Sequence, residues 1–163
     1  MELLVCTVLV GAGATVVMDL WSLARRPLLG VPLPNYPHVG RWLGHMRHGR
    51  FRHEAIARAT PIPHEALIGW TAHYLIGVAF AALLPALWGT AWFRTPTLGP
   101  ALAVGLATVL APFLLMQPGM GAGIAARRTP RPAVARLHSL ATHAIFGLGL
   151  YMAARALLPF SAA

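Results

Sequence analysis

The stretch LLVCTVLVGAGATVVMDLWSLA, Leu3–Ala24, decides the fold. It holds a single charged residue, Asp19, in a run as long as the roughly 17–25 apolar residues a helix needs to cross a bilayer. Three further runs repeat the pattern: His64–Gly89, Leu98–Met116 and Val134–Leu158. With 57% hydrophobic residues in 163, these spans leave no room for a second, soluble domain. The expected fold is all-α. It is one integral-membrane domain, residues 1–163, a bundle of four antiparallel transmembrane helices joined by loops at 25–63 and 117–133.

The charges orient the bundle. Thirteen basic residues, all arginine, stand against four acids. Arg25, Arg26, Arg41, Arg47, Arg50, Arg52 and Arg58 follow the first run. Arg127, Arg128, Arg131 and Arg136 follow the third, whereas the loop between the second and third has only Arg94 and the N-terminus has none. The positive-inside rule puts the two arginine-rich loops in the cytoplasm and both termini outside, in a multi-pass membrane chain. Charge beside spans orients helices and meets anionic headgroups, so the +9 balance points to membrane lipid and not to nucleic acid. Arg41, Arg47, Arg50, Arg52, Arg127 and Arg128 are the expected headgroup or anion contacts. The lone Cys6 excludes an internal disulfide and disulfide-exchange chemistry, and the N-terminus lacks the basic region of a signal peptide, so the first run reads as a retained span.

The first loop has internal pattern. Pro32, Pro34 and Pro37 open it in extended form. Val39, Trp42, Leu43 and Met46 then recur at helical spacing, with Arg41, His45 and His48 on the other side, which predicts a short helix lying in the headgroup plane. Phe51, Ala55, Ile56 and Ala59 suggest a second short piece. The third loop, Gln117-Pro118-Gly119-Met120-Gly121-Ala122-Gly123 before Arg127-Arg128, reads first as a flexible turn with topogenic arginines; the alternative is that its glycine N–H groups and arginines hold a phosphate, although the spacing is not that of a nucleotide-binding loop.

Each span carries a stripe of small and polar residues four apart: Gly11, Thr15, Asp19 and Ser22; Gly69, His73, Gly77 and Ala81; Ala101, Gly105, Thr108, Pro112 and Met116; Ser139, His143, Gly147 and Tyr151. Small residues let backbones approach and polar ones link helices, so the stripes should face one another. Helical rise puts Asp19 and His138 near the cytoplasmic ends and His73, Thr108 and His143 about one turn deeper, toward one buried polar cluster. Asp19 is expected to meet His138 or a basic loop residue, and His73 to meet His143. Pro112 cannot donate to the Thr108 carbonyl, which adds a free acceptor. Seven arginines in the first loop oppose metal binding by its histidines, and the His53-Glu54 and His64-Glu65 pairs lack the spacing of a zinc-protease helix.

Several segments resemble one family. Gly13-Ala14-Thr15-Val16-Val17-Met18-Asp19-Leu20-Trp21 resembles its first span; Asn35-Tyr36 and Val39-Gly40-Arg41-Trp42-Leu43-Gly44-His45 resemble its first loop. Gly69-Trp70-Thr71-Ala72-His73-Tyr74, Pro112-Phe113-Leu114-Leu115-Met116-Gln117-Pro118, and His143 with Phe146-Gly147-Leu148-Gly149-Leu150-Tyr151 continue the likeness over nearly the whole chain. The family is a bacterial domain of unknown function made of short polytopic inner-membrane proteins. The resemblance implies location and architecture, places Asp19, His73 and His143 within motif segments, and carries no activity across.

The leading functional expectation is a structural, interaction or lipid-contacting role with no cofactor, alone or as a homo-oligomer or with a membrane-protein partner. The first alternative is a small carrier or proton-handling protein using Asp19, His73 and His143, since a titratable group in a span is a functional candidate by default. The second is a transition-metal or haem protein, with His73, His143 and Asp19 as candidate ligands. An enzyme is the least supported class, because no nucleophile–base arrangement is readable.

Overall fold

The computed structural model describes residues 2–161. The described chain is helical and contains no strand. Its helices are α1 (Leu3–Leu29), α2 (Tyr36–Met46), α3 (Glu65–Ala81), α4 (Leu83–Trp88), α5 (Leu98–Ala107), α6 (Gln117–Met120) and α7 (Pro132–Ser161), with 3-10 turns at Ile56–Arg58, Thr90–Phe93 and Ile124–Ala126 and a π stretch at Pro112–Met116. Four continuous helical stretches are long and apolar enough to cross a membrane: Leu3–Leu29, Glu65–Trp88, Leu98–Met120 and Pro132–Pro159.

The observed ends correct three of the expected spans. The first run loses its apolar character at Ala24, yet α1 continues through Arg25, Arg26 and Pro27 to Leu29. Gly30 stops it by taking the left-handed conformation (φ 66°) and donating its N–H to the Arg26 carbonyl at 3.0 Å. The third helical stretch runs four residues past the expected Met116, to Met120, and the fourth begins at Pro132. Hydropathy ends where arginines begin, but backbone hydrogen bonding does not. Two prolines shape the interiors. Pro85 has no N–H for the Ala81 carbonyl, and the helix breaks into α3 and α4 at Ala82. Pro112 likewise leaves the Thr108 carbonyl without its usual donor, and the helix widens there, with Gln117 N–H reaching back to the Pro112 carbonyl.

The chain forms two compact units. The first contains the chain up to Leu33, Tyr74–Thr108 and the chain from Ala141; the second contains Pro34–His73 and Val109–Leu140. The core of the first unit is Val10, Ala14, Ala81, Leu84, Trp92, Ala101, Val104, Phe146, Leu150 and Ala154. The small-residue stripes meet inside it. A Cβ on Gly11 would lie 2.5 Å from Val78 Cα, and one on Gly105 would lie 2.6 Å from Gly147 Cα. A Cβ on Gly77 would overlap Thr15 Oγ1. These backbones touch because no side chain separates them. Away from the core, Leu4, Leu20, Leu75, Leu87, Leu110 and Leu115 are exposed, an apolar surface that water would penalise and hydrocarbon would not.

In the second unit, α2 is capped by Asn35, whose Oδ1 accepts the His38 N–H at 3.1 Å, and Pro37 fits its first turn, where a missing N–H costs nothing. Gly40 and Gly69 let α2 lie directly on α3: a Cβ at either would overlap a backbone carbonyl, of Glu65 or Tyr36. Gly40, Arg41, Gly44 and His45 are the buried residues of α2, while Val39, Trp42, Leu43 and Met46 are only half-buried. The polar side is turned inward because Arg41 and His45 find partners there.

Candidate functional site

Within the first unit several polar residues of the spans are paired, whereas the buried Ser22 hydroxyl makes no hydrogen bond among the described residues. Asp19 Oδ2 accepts the Tyr74 hydroxyl at 3.1 Å. Thr108 donates its hydroxyl to the Gly105 carbonyl at 2.7 Å and lies 3.1 Å from His143 Nδ1, which is also 3.3 Å from that carbonyl. Arg25 is buried and donates to Thr142 Oγ1 at 3.1 Å.

The second unit is held by Arg41. Its Nε and Nη2 donate to Glu65 Oε2 and Oε1, both at 2.8 Å, in a fork-on-fork pair. Its Nη1 donates to the carbonyls of Ile56, Ala57 and Ala59 at 3.2, 3.4 and 3.0 Å. Glu65 also accepts the Ile62 N–H at 3.2 Å. One guanidinium thereby ties α2, the Ile56–Arg58 turn and the start of α3 into a latch. The Glu65 carboxylate beside it pushes the Arg41 pKa up. The expectation that Arg41 meets lipid headgroups is thus corrected: its donors are spent indoors, on a carboxylate 24 residues along the chain that no local pattern marks.

Around the latch lie two aromatic contacts. The Tyr36 hydroxyl is hydrogen-bonded to His73 Nε2 at 3.0 Å, with the rings stacked at 4.2 Å. His45 Nδ1 and His53 Nε2 are 2.8 Å apart, and both residues are buried. Burial lowers the His53 pKa below its usual value, with smaller contributions from His45 and Arg50, while the Gly119 carbonyl acts in the opposite direction. Burial, then Arg41, lowers that of His38, against the pull of Glu65. The Trp42 indole donates to the Phe51 carbonyl at 2.9 Å, and its ring would overlap a Cβ on Gly119.

Of the sequence-derived cluster, Thr108 and His143 are brought into contact. Asp19 and His73 are met by tyrosines, Tyr74 and Tyr36, which the sequence reading passed over although both lie in its motif segments. The available signal was the hydroxyl itself, since a buried tyrosine needs a partner for it. His138 is half-buried on α7 and makes no hydrogen bond among the described residues. Among those residues no three His, Cys, Asp or Glu side chains converge to hold a metal ion, so Asp19, His73 and His143 form no joint ligand set. The remaining arginines differ from Arg41. Arg47 donates to its neighbour His48 at 3.3 Å. Arg50, Arg52, Arg127 and Arg128 are exposed, and no carboxylate pairs with them among the described residues.

The model of one protein family, described as a protein of unknown function (DUF2938), matches residues 8–157. No curated protein and no solved structure matches the chain.

Proposed function

The chain belongs to the DUF2938 family of unknown function, and we propose that it is a four-span bacterial inner-membrane protein whose role is structural and lipid-contacting. Both termini face the periplasm in this reading, and residues 25–63 and 117–133 form its cytoplasmic side. The arginine asymmetry between loops supports the orientation. The polar groups of the spans serve as links between helices: Asp19 with Tyr74, Thr108 with His143, and Tyr36 with His73.

One observation carries the lipid-contacting role. The Arg41–Glu65 latch folds the long loop and occupies its buried guanidinium, while Arg50, Arg52, Arg127 and Arg128 stay exposed with no carboxylate partner among the described residues. A folded cationic face next to spans attracts anionic headgroups, at about 1 kcal/mol per arginine near the surface. The test compares thermal unfolding of the full chain in phosphatidylcholine nanodiscs with discs containing phosphatidylglycerol. The expected result is a higher melting temperature in the anionic discs, with an increment that shrinks as salt rises. His73→Ala and His143→Ala should leave that increment unchanged. Equal melting temperatures in the two lipids at low salt would overturn the reading.

A further inference from the structure

We propose that Arg52, Arg127 and Arg128 form a binding site for a phosphate monoester. The proposal rests on the cationic-face reading and narrows it to one cavity. The cavity, of about 340 Å³, is lined by these three arginines together with His53, Glu54 and Ile124, among others. That is the low end of the roughly 300–1,000 Å³ typical of small-ligand pockets, a size suited to a headgroup or a small phosphorylated solute.

The three guanidinium groups are collected by the fold. Arg52 lies far from the other two along the chain, and backbone contacts pin the two loops together. The His53 N–H donates to the Gly119 carbonyl at 2.9 Å. Gly121, at φ 100°, lies so close to the Glu54 carbonyl that a Cβ would overlap it. On the opposite side the stems of Arg127 and Arg128 rest on Gly123, where a Cβ would sit 2.8 and 3.0 Å from their Cγ atoms. Bringing like charges together costs energy, and the one carboxylate lining the cavity, Glu54, pairs with none of them among the described residues. Three guanidinium groups and one carboxylate leave a charge of +2. A phosphate monoester carries about −1.5 to −2 near neutral pH, whereas a diester carries a single negative charge.

Most of the loop's backbone donors are already used. The N–H groups of Gly121, Ala122, Ala126, Arg127, Arg128 and Thr129 are all bonded to carbonyls of the same loop. Those of Gly123, Ile124 and Ala125 make no such bond among the described residues, and Gly123 and Ile124 line the cavity beside the guanidinium forks, whose geometry suits phosphate oxygens. Ile124, half-exposed on the same cavity, offers apolar contact for the glycerol or acyl end of a lipid.

The test uses the full chain in phosphatidylcholine nanodiscs and reads thermal stabilisation with two kinds of probe. One is phosphatidate in the disc, compared with phosphatidylglycerol at matched total charge. The other is glycerol 3-phosphate or inorganic phosphate in solution. Phosphatidate should stabilise more than phosphatidylglycerol if the ligand is a headgroup; a response to the soluble probes alone assigns the same site to a solute. Arg52→Gln and Arg127→Gln should each weaken the specific response about tenfold, as expected for a lost charge-assisted hydrogen bond. Arg128→Lys, which keeps the charge and loses the fork, should weaken it too. Arg58→Gln, an exposed arginine of the same loop outside the cavity, should not. If both anionic lipids act equally and salt removes the effect, or if Arg58→Gln is as damaging as Arg127→Gln, the site is refuted and the diffuse cationic face stands. If no anionic lipid or solute acts at all, both readings fall.

Discussion

Replacing Arg41 by methionine should open the second unit without unfolding the first. The substitution removes two 2.8 Å bonds to Glu65 and three longer ones to the Ile56, Ala57 and Ala59 carbonyls. It strands the Glu65 carboxylate, whose side chain is 19% exposed, while that of Arg41 is 10% exposed. Breaking a buried ion pair by removing one partner costs about 3–5 kcal/mol. The residual exposure of Glu65 argues for the lower end, about 3 kcal/mol, which corresponds to roughly a hundredfold larger population of the open loop. Arg47, Arg50, Arg52 and Arg58 are exposed tryptic sites in that loop, so limited trypsin digestion of the purified protein in detergent reads the open population directly when opening is fast. Cleavage within 47–58 should accelerate about a hundredfold. Arg41→Lys should fall between wild type and Arg41→Met, since an ammonium cannot reproduce the fork. The double variant Arg41→Met/Glu65→Met should recover part of the loss by removing the stranded charge. Cleavage of Arg41→Met within about threefold of wild type, well under the factor of ten that 1.4 kcal/mol represents, would refute the latch.

Gly77→Leu and Gly147→Leu should each destabilise the first unit by at least the 1–3 kcal/mol of ordinary overpacking, because their new side chains would meet Thr15 and the Ala101 carbonyl; Gly99→Leu, with nothing within 4 Å, should melt like the parent in detergent. Acidification should weaken the second unit. His53 has its pKa lowered in the fold, so the unfolded chain binds more protons once pH drops below the ordinary histidine value of about 6.5, and stability is lost from there down to the folded value. His38 contributes with the same sign, so trypsin sensitivity, corrected for the protease's own pH dependence, should rise as pH falls below about 6.5, and His53→Gln should flatten much of that rise. For topology, a cysteine at Arg50→Cys, in the cysteine-free background Cys6→Ala, should react with a membrane-impermeant maleimide only after the cells are opened; labelling of intact cells would invert the orientation.

The spans were legible because hydropathy is a local, additive property. Any stretch as apolar as Leu3–Ala24 prefers hydrocarbon whatever its neighbours do, and four such stretches correspond to the four long helices. The stripes were legible for a related reason. Helical periodicity alone brings Gly11 and Thr15, or Gly105 and Thr108, to one side, and in the first unit Gly11 meets Val78 while Gly105 meets Gly147. Helix ends were less legible, since hydropathy stops at Arg25 while backbone bonding runs on to the cap at Gly30. What only the tertiary structure decided is partner choice among polar groups. Arg41 and Arg52 look alike in sequence, two arginines of one loop. One is buried on Glu65 and three carbonyls; the other lines a cavity with Arg127 and Arg128. A hydrogen bond depends on ångström-scale placement of groups that chain distance does not constrain, so Asp19 with Tyr74 and His73 with Tyr36 emerge only when the helices and the loop are packed.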